Sequence, residues 1–439
     1  MAGEFHTLHM PSSASSVPAN WSWARLDSIC DGVCDCPHST PVLAESGPYV
    51  VRSQDIRSGV FRAEEAAHVS EETYQERIAR AEPQHGDLLY SREGTYFGIA
   101  AEVPARARVC LGQRMVLIRP LASIVDCRYL KYWLNSPLMA SHTHGFRDGS
   151  VAERLNLPTI RGLPVALPPF SEQRAIAHIL GTLDEKIELN RRTSETLETM
   201  ARALFKSWFV DFDPVRAKAE GREPGLRTAI ADLLPNRFVE SELGEIPEGW
   251  ETGRVADVVK LQREQENPLS SPGTVFTHFS IPAFDSGQSP TPEPGEAIKS
   301  QKFRVPDGTV LLSKLNPEIE RVWLVDVRRN DRAVCSTEFL VLSPRAPYER
   351  AYAYCLFRSP ELRQTLEGLV TGTSKSHQRA QPAAILGLPI VVPSHPLVEQ
   401  FQTAAEPLLA RTLECRRESR TLTLLRDALL PKLISGELR

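Results

Sequence analysis

Leu163-Pro164-Val165-Ala166-Leu167-Pro168 and Leu388-Pro389-Ile390-Val391-Val392-Pro393 open two copies of one passage, residues 157–209 and 382–434. Each copy goes on to a Glu-Gln pair (Glu172-Gln173, Glu399-Gln400), an Arg-Arg pair (Arg191-Arg192, Arg416-Arg417) and an Ala-Leu pair (Ala203-Leu204, Ala428-Leu429). Landmarks upstream recur in the same order. Trp21 with Arg25-Leu26 answers Trp250 with Arg254-Val255, and Gly86 through Arg92 answers Gly308 through Lys314. Ser136-Pro137 answers Ser359-Pro360, and Gly149-Ser150 answers Gly372-Thr373. A period of about 225 residues is too long for a solenoid, so each repeat is a whole domain plus a connector. A chain built as one unit stated twice can touch its target in two places.

At 439 residues the chain has room for two to three domains with sizeable cores. Residues 1–18 are Ser/Pro-rich without an apolar centre and read as a flexible leader rather than a signal peptide. Residues 19–170 form a first mixed domain, with strands expected at Gly86–Arg92, Gly98–Val103 and Gln113–Arg119 and short helices at Ser70–Glu82 and Tyr129–Ser136. A helix over 171–213, a linker rich in Pro, Gly and charge over 214–244, a second mixed domain over 245–393 and a helix over 394–439 complete the chain. The eight cysteines are too sparse for a disulfide scaffold and suit a reducing cytoplasm. A net charge of −4 argues against a surface that grips nucleic acid by charge alone, though not against one with local basic loops.

The two helical stretches share a 3.5-residue apolar period. Steps of four and three give Ile176, Leu180, Leu183, Ile187, Asn190, Ser194, Leu197, Ala201, Leu204 and Trp208 in the first. In the second they give Phe401, Ala405, Leu408, Thr412, Cys415, Ser419, Leu422, Arg426, Leu429 and Leu433. This period is that of a left-handed coiled coil, and each seam is the natural partner of the other. Both turn polar midway, so Asn190 and Ser194 are expected to face the Ser419 layer and fix the register. Pro407 predicts a kink or a late start, and Arg426 interrupts the second seam. Helices of this length reach roughly 60 Å. The expected architecture is α+β: two globular domains separated by two long antiparallel helices forming a coiled coil, with an internal pseudo-twofold repeat.

Catalytic machinery is missing from the sequence. Leu167-Pro168-Pro169-Phe170 lacks the leading polar residue that an amino-group DNA methyltransferase needs, and reads as a helix start with Ser171 as N-cap. No phosphate loop of the G-x-x-x-x-G-K-[ST] type occurs. Cys30, Cys34, Cys36 and His38 have no zinc-site spacing and read as structural residues in a turn. Asp184-Glu185-Lys186 falls within a heptad and reads as a solvated face. What remains is a set of polar, Gly-rich loops at matching places in the two mixed domains. They carry Arg92, Thr95, Tyr96, Arg147, Ser150 and Arg154 in the first, and Lys314, Asn316, Ser374, Lys375, His377 and Arg379 in the second. Arg and Lys pair with guanine edges or phosphates, Asn with adenine edges, and Ser, Thr and His with either, so these are candidate DNA contacts.

The run Pro168-Pro169-Phe170-Ser171-Glu172-Gln173-Arg174-Ala175-Ile176, the later Leu183-Asp184-Glu185-Lys186-Ile187 and the ending Leu425 through Leu438 resemble the DNA specificity subunit of type I restriction–modification systems. The resemblance extends to the layout, from Trp21 to the end. It implies that each mixed domain is a target-recognition domain reading one half of a split DNA sequence, with the helix pair setting the unread spacer. It implies two methylation subunits carrying S-adenosylmethionine as partners, joined by motor/nuclease restriction subunits using ATP and Mg²⁺. No cofactor is then expected on this chain. Two other readings stay open at this level: the recognition half of a fused methyltransferase–nuclease whose catalytic part is a separate chain or missing, and a coiled-coil scaffold that binds only protein.

Overall fold

The structure, a computed structural model, describes residues 17–94, 96–145, 154–328, 330–369 and 378–438. The expected leader therefore lies almost wholly outside the described residues. The chain forms two compact units: residues up to Ile187 together with those from Thr421 onward, and residues Glu188 to Arg420.

The first unit runs β1 (Ser22–Arg25), β2 (Cys30–Asp35), β3 (Leu43–Val51), β4 (Ala67–Val69), α1 (Glu71–Ile78), β5 (Leu88–Ser91), β6 (Ala100–Glu102), β7 (Val109–Leu111) and β8 (Met115–Pro120). It continues through α2 (Cys127–Leu134), α3 (Pro137–His144), α4 (Leu157–Arg161) and β9 (Pro164–Leu167) into the long α5 (Phe170–Phe209). Its main sheet has the order β2-β8-β5-β6, flanked by a three-stranded β4-β3-β7 sheet and the pair β1-β9. The run Leu88-Leu89-Tyr90 is apolar without alternation because the sheet is covered on both faces. Leu88 and Tyr90 face a core with Tyr129, Leu130 and Trp133, while Leu89 faces another with Val51, Phe61 and Val109. The strand β9, from the repeated Leu-Pro passage, is held on α2 by Tyr129 Oη donating to the Ala166 carbonyl at 2.7 Å and Trp133 Nε1 to that of Pro164 at 2.9 Å.

In the second unit a short helix α6 (Asp213–Ala219), α7 (Thr228–Ala231) and the hairpin β10 (Phe238–Ser241)–β11 (Gly244–Pro247) precede β12 (Glu251–Arg254), α8 (Val255–Val258), β13 (Val259–Gln262) and β14 (Gln265–Glu266). Then come β15 (Val275–Phe279), α9 (Ile281–Asp285), β16 (Thr291–Pro294), β17 (Lys302–Arg304), β18 (Val310–Ser313), β19 (Val322–Leu324), β20 (Arg332–Cys335) and β21 (Phe339–Pro344). Last are α10 (Arg350–Phe357), α11 (Pro360–Gly368), α12 (Pro382–Leu386), β22 (Pro389–Val392) and the long α13 (His395–Ser435). The sheet β13-β21-β18-β19 repeats the order of β2-β8-β5-β6, and β12-β22 repeats β1-β9. Val310 and Leu312 again face one core and Leu311 another, beside Trp323 and Phe339. The stretch 214–244, read above as linker, places Val215, Ile230 and Leu234 in the core of this unit.

The landmarks of the repeat are structural joints. Leu26 and Val255 donate their backbone N–H to Leu163 and Leu388, respectively, and Ser136 and Ser359 cap α3 and α11. One match shifts. Gln173 Oε1 accepts from the Asp126 N–H at 2.9 Å and Gln173 Nε2 donates to the Pro168 carbonyl, tying α5 to the start of α2. In the second unit Gln402, and not Gln400, accepts from the Glu349 N–H and donates to the Pro347 carbonyl. Nor is Ser171 an N-cap, since α5 already begins at Phe170.

The long helices pair within each unit. In the first, Ile176 and Leu180 of α5 share a core with Leu433 and Ile434 of α13. In the second, Ala201, Phe205 and Trp208 meet Phe401, Ala405 and Leu409, with the Phe205 and Phe401 rings 5.7 Å apart. Leu183, Ile187, Leu197, Leu204, Leu408, Leu422 and Leu429 are half-buried, and Leu409 is more deeply set than the expected Leu408. The polar layer differs from expectation. Asn190 Nδ2 donates to Glu418 Oε2 at 2.9 Å, and Ser194 meets Thr412, so neither faces Ser419. As the α5 number rises the α13 number falls, which makes the pair antiparallel. Pro407 neither delays nor ends α13, because a proline removes only one backbone donor while the packed face holds the remaining turns. Arg426 is part of the seam rather than a break in it: its Nη1 meets Asp184 Oδ1 at 2.9 Å. Asp184, which also accepts from Tyr132 Oη at 2.6 Å, is therefore no solvated face.

Phe401→Ala should destabilise the second unit by about 3–5 kcal/mol, and Leu197→Asp, half-buried beside Glu198, by only about 1–2 kcal/mol. Denaturant titration of both variants checks the ranking. His278 on β15 has Nδ1 3.1 Å from Glu293 Oε1 and a buried Nε2 with no partner, and burial pushes its pKa below the ordinary imidazole value. The unfolded chain then binds the proton more readily, so this contribution to stability is present above about pH 6.5 and is lost as the pH falls through and below it. The melting temperature of the wild type should drop more between about pH 7.5 and about pH 5.5 than that of His278→Gln.

Candidate nucleic-acid interface

Each central strand ends in the loop that the sequence singled out. After β5 the chain passes through Arg92 and Glu93, and Glu93 forms an isolated antiparallel bridge with Arg154. The Leu155 N–H donates to the Arg92 carbonyl at 2.8 Å. After β18 the chain passes through Lys314 and Leu315, and Leu315 bridges Arg379 in the same way. The Ala380 N–H donates to the Lys314 carbonyl at 3.0 Å. The strand preceding each loop is also anchored alike, since Arg92 N–H donates to Arg114 and Lys314 N–H to Glu338, each at 3.0 Å. Gly94 and Asn316 occupy the same step with φ of +92° and +49°, a conformation that glycine adopts freely and asparagine tolerates. Two segments distant in sequence are thus tied together at their roots twice over.

This places Arg92 with Arg154, and Lys314 and Asn316 with Arg379. Arg154 is exposed, while Tyr96, Lys314, Asn316 and Arg379 are partly so. The Asn316 N–H donates to the Gln378 carbonyl at 2.9 Å, and its Oδ1 is buried without a hydrogen-bond partner. Thr95, Arg147, Ser150, Ser374, Lys375 and His377 lie outside the described residues. Arg92 departs from the simple reading: its Nη1 sits 2.6 Å from Asp35 Oδ2 and the side chain is largely buried. Gly98 passes close to α3, where an added Cβ would lie 3.3 Å from Thr143 Oγ1, and Phe97 meets the His144 ring edge-on.

Charged neighbours that the sequence reading passed over shape these loops. Arg114, at φ +69°, approaches Glu93 with Nε to Oε1 at 3.3 Å. Glu338, at the corresponding place before β21, instead holds Arg379 through two bonds of 3.0 and 2.9 Å. The Arg379 guanidinium keeps the Glu338 carboxyl below the usual carboxylate range. Their matching positions just ahead of β8 and β21 were a signal available in the sequence.

Among the described residues no group of three or more His, Cys, Asp or Glu is placed to hold a metal ion. Cys30 and Cys34 lie on β2 with Cys36 just beyond it, all as free thiols, so they belong to a strand and its end rather than to a turn. No helix among the described residues is long and apolar enough to cross a membrane.

Residues 18–199 match the type I restriction modification DNA specificity domain. The specificity subunit of the type I restriction enzyme MjaIX from Methanocaldococcus jannaschii is 25% identical over 440 residues, covering 96% of this chain and 94% of that protein. The HindI specificity subunit from Haemophilus influenzae is 25% identical over 408 residues, covering 80% and 86%. In fold, the chain resembles the crystal structure of the type I restriction–modification S subunit from M. genitalium, with a TM-score of 0.58 at 14% identity over 95% of this chain and 96% of that one. With the family domain matched at residues 18–199 and a relative matched along nearly all of its length, the chain is similar to the DNA specificity subunits of type I restriction enzymes.

Proposed function

We propose that this chain is the non-catalytic reader of a type I restriction–modification complex, and that it reads a split, asymmetric sequence in double-stranded DNA. Each target-recognition domain takes one half, over residues 19–170 and 245–393. The observation that carries the reading is the pair of matched loop roots, Arg92–Leu155 and Lys314–Ala380, each beside the bridge of an arginine, Arg154 or Arg379. Such a root lets a loop enter a groove while its backbone bonds stay satisfied. Arg154, Lys314, Asn316 and Arg379 are the contacts favoured by exposure and chemistry. Arg92, committed to Asp35, shapes the first loop instead of reading bases. Tyr96, Thr95, Arg147, Ser150, Ser374, Lys375 and His377 complete the proposed set.

The paired helices α5 and α13 act as the ruler that fixes the unread spacer. Two methylation subunits carrying S-adenosylmethionine dock on the helical regions, and restriction subunits using ATP and Mg²⁺ join them in the cytoplasm. The net charge of −4 fits a reader whose partners share the grip on phosphate.

Selection of randomised duplex DNA by the chain co-purified with its methylation subunits should return two short half-sites separated by a constant gap. A coiled-coil scaffold would return none. Removing one heptad from each helix, around Asn190 and Glu418, should change that gap by roughly three base pairs and leave both half-sites as they were; an unaltered gap rules out the ruler. Arg154→Ala and Lys314→Ala should each weaken binding about tenfold, each through one half-site only, as read by filter binding on duplexes scrambled in one half.

A further inference from the structure

Within the second unit, the loop from Lys314 to Arg321 is tied to both long helices by one ion network. Arg358, just past α10, meets Glu320 in that loop and Glu198 on α5. Arg363 on α11 reaches Glu320 Oε2 at 2.9 Å through Nη1 and the Glu318 carbonyl at 2.9 Å through Nη2. Arg416 on α13 closes the set, with Nη2 2.6 Å from Glu198 Oε2. Glu198 and Arg358 are largely buried, and Arg358 Nη1 also donates to Tyr354 Oη at 2.8 Å. Burial, then the nearby Arg416 and Arg363, push the Arg358 pKa down to about 10.

The same loop carries Lys314, Leu315 and Asn316, whose backbone is closed on Gln378, Arg379 and Ala380. Its far end is fixed by Arg321, which grips Asp285 at 2.7 and 2.8 Å. The first unit differs at the residue that matches Arg358. At the matching position after α2, Asn135 instead exchanges two hydrogen bonds of 2.8 Å with the Ala100 backbone. At this position the two loops are braced differently, one by an amide on a strand edge and one by a guanidinium that reaches the loop and α5 together.

We propose that Arg358 and Glu320 are positioning residues for the second half-site: they set the pose of the Lys314–Asn316 turn from the helix pair, without touching DNA themselves. This inference rests on the DNA-reading role proposed above. The guanidinium of Arg358 bridges two carboxylates at once, which a lysine ammonium with its single point of charge does poorly. Glu320→Gln leaves the buried Glu198–Arg358–Arg416 contacts in place and loosens only the loop end.

The test is selection on randomised duplex DNA with the chain, wild type, Glu320→Gln or Arg358→Lys, in complex with its methylation subunits. The expected result is loss of base preference in the half-site assigned to the second domain, with affinity for the original site lowered about tenfold, while the first half-site and the gap stay intact. Wild-type selectivity retained in both variants at both halves would overturn the proposal. So would joint loss of both halves, which would mean that the network merely holds the fold. Failure of the wild-type complex to select any split sequence would instead strike the DNA-reading role itself, and this inference with it.

Discussion

A strand buried on both faces is the constraint on which the rest of each mixed domain depends. Leu88–Ser91 and Val310–Ser313 sit inside their sheets with side chains packed above and below, so neither can shift register without moving a whole set of apolar groups to the wrong core. The loop that leaves each strand therefore starts from a fixed point in a fixed direction. Cross-bonds from Leu155 and Ala380 close it again within a few residues. Sequence change in the loop then alters what is presented, while the place of presentation stays the same.

The long helices solve a second problem, that of choosing the right mate. Their seam is apolar in its outer parts and polar midway, where Asn190 meets Glu418 and Ser194 meets Thr412. Two charged crossings run the same way. Acids belong to α5, as Asp184 and Glu198, and their arginines to α13, as Arg426 and Arg416. An α5 facing a second copy of itself would take the α13 arginine from each of those carboxylates and set acid against acid, a costly arrangement in a partly dry seam. Hydrophobic period alone makes the helices sticky; this polarity makes the α5–α13 pairing specific.

Most of this frame was legible in the residues, because it rests on period and punctuation. The 3.5-residue seam, the repeated Leu-Pro passage and the Gly86 and Gly308 turns follow from backbone geometry that few residue types can satisfy. The misreadings share a cause. The Gln402 joint, the Glu418 contact of Asn190 and the pairing of Arg426 with Asp184 depend on which turn of a helix faces which neighbour, and this is set by tertiary packing. Spacing finds the stripe but not its opposite number. For the same reason Arg92 read as an open basic residue: Asp35, which occupies it, lies 57 positions away in the chain.

The two loop roots differ in one way that bears directly on what they present. Backbone bonds are the same in both, yet the residue ahead of the returning strand is Arg114 in one and Glu338 in the other. Arg114 offsets Glu93, whereas Glu338 takes hold of Arg379. One frame thus displays opposite charge at corresponding positions, and the step beside it is glycine in one copy and asparagine in the other. Base edges are distinguished by donor and acceptor pattern, so surfaces with reversed charge at the same place favour different sequences. A duplicated fold with non-duplicated loop chemistry suits the asymmetric, two-part DNA target proposed above, since identical loops related by the repeat would select identical halves.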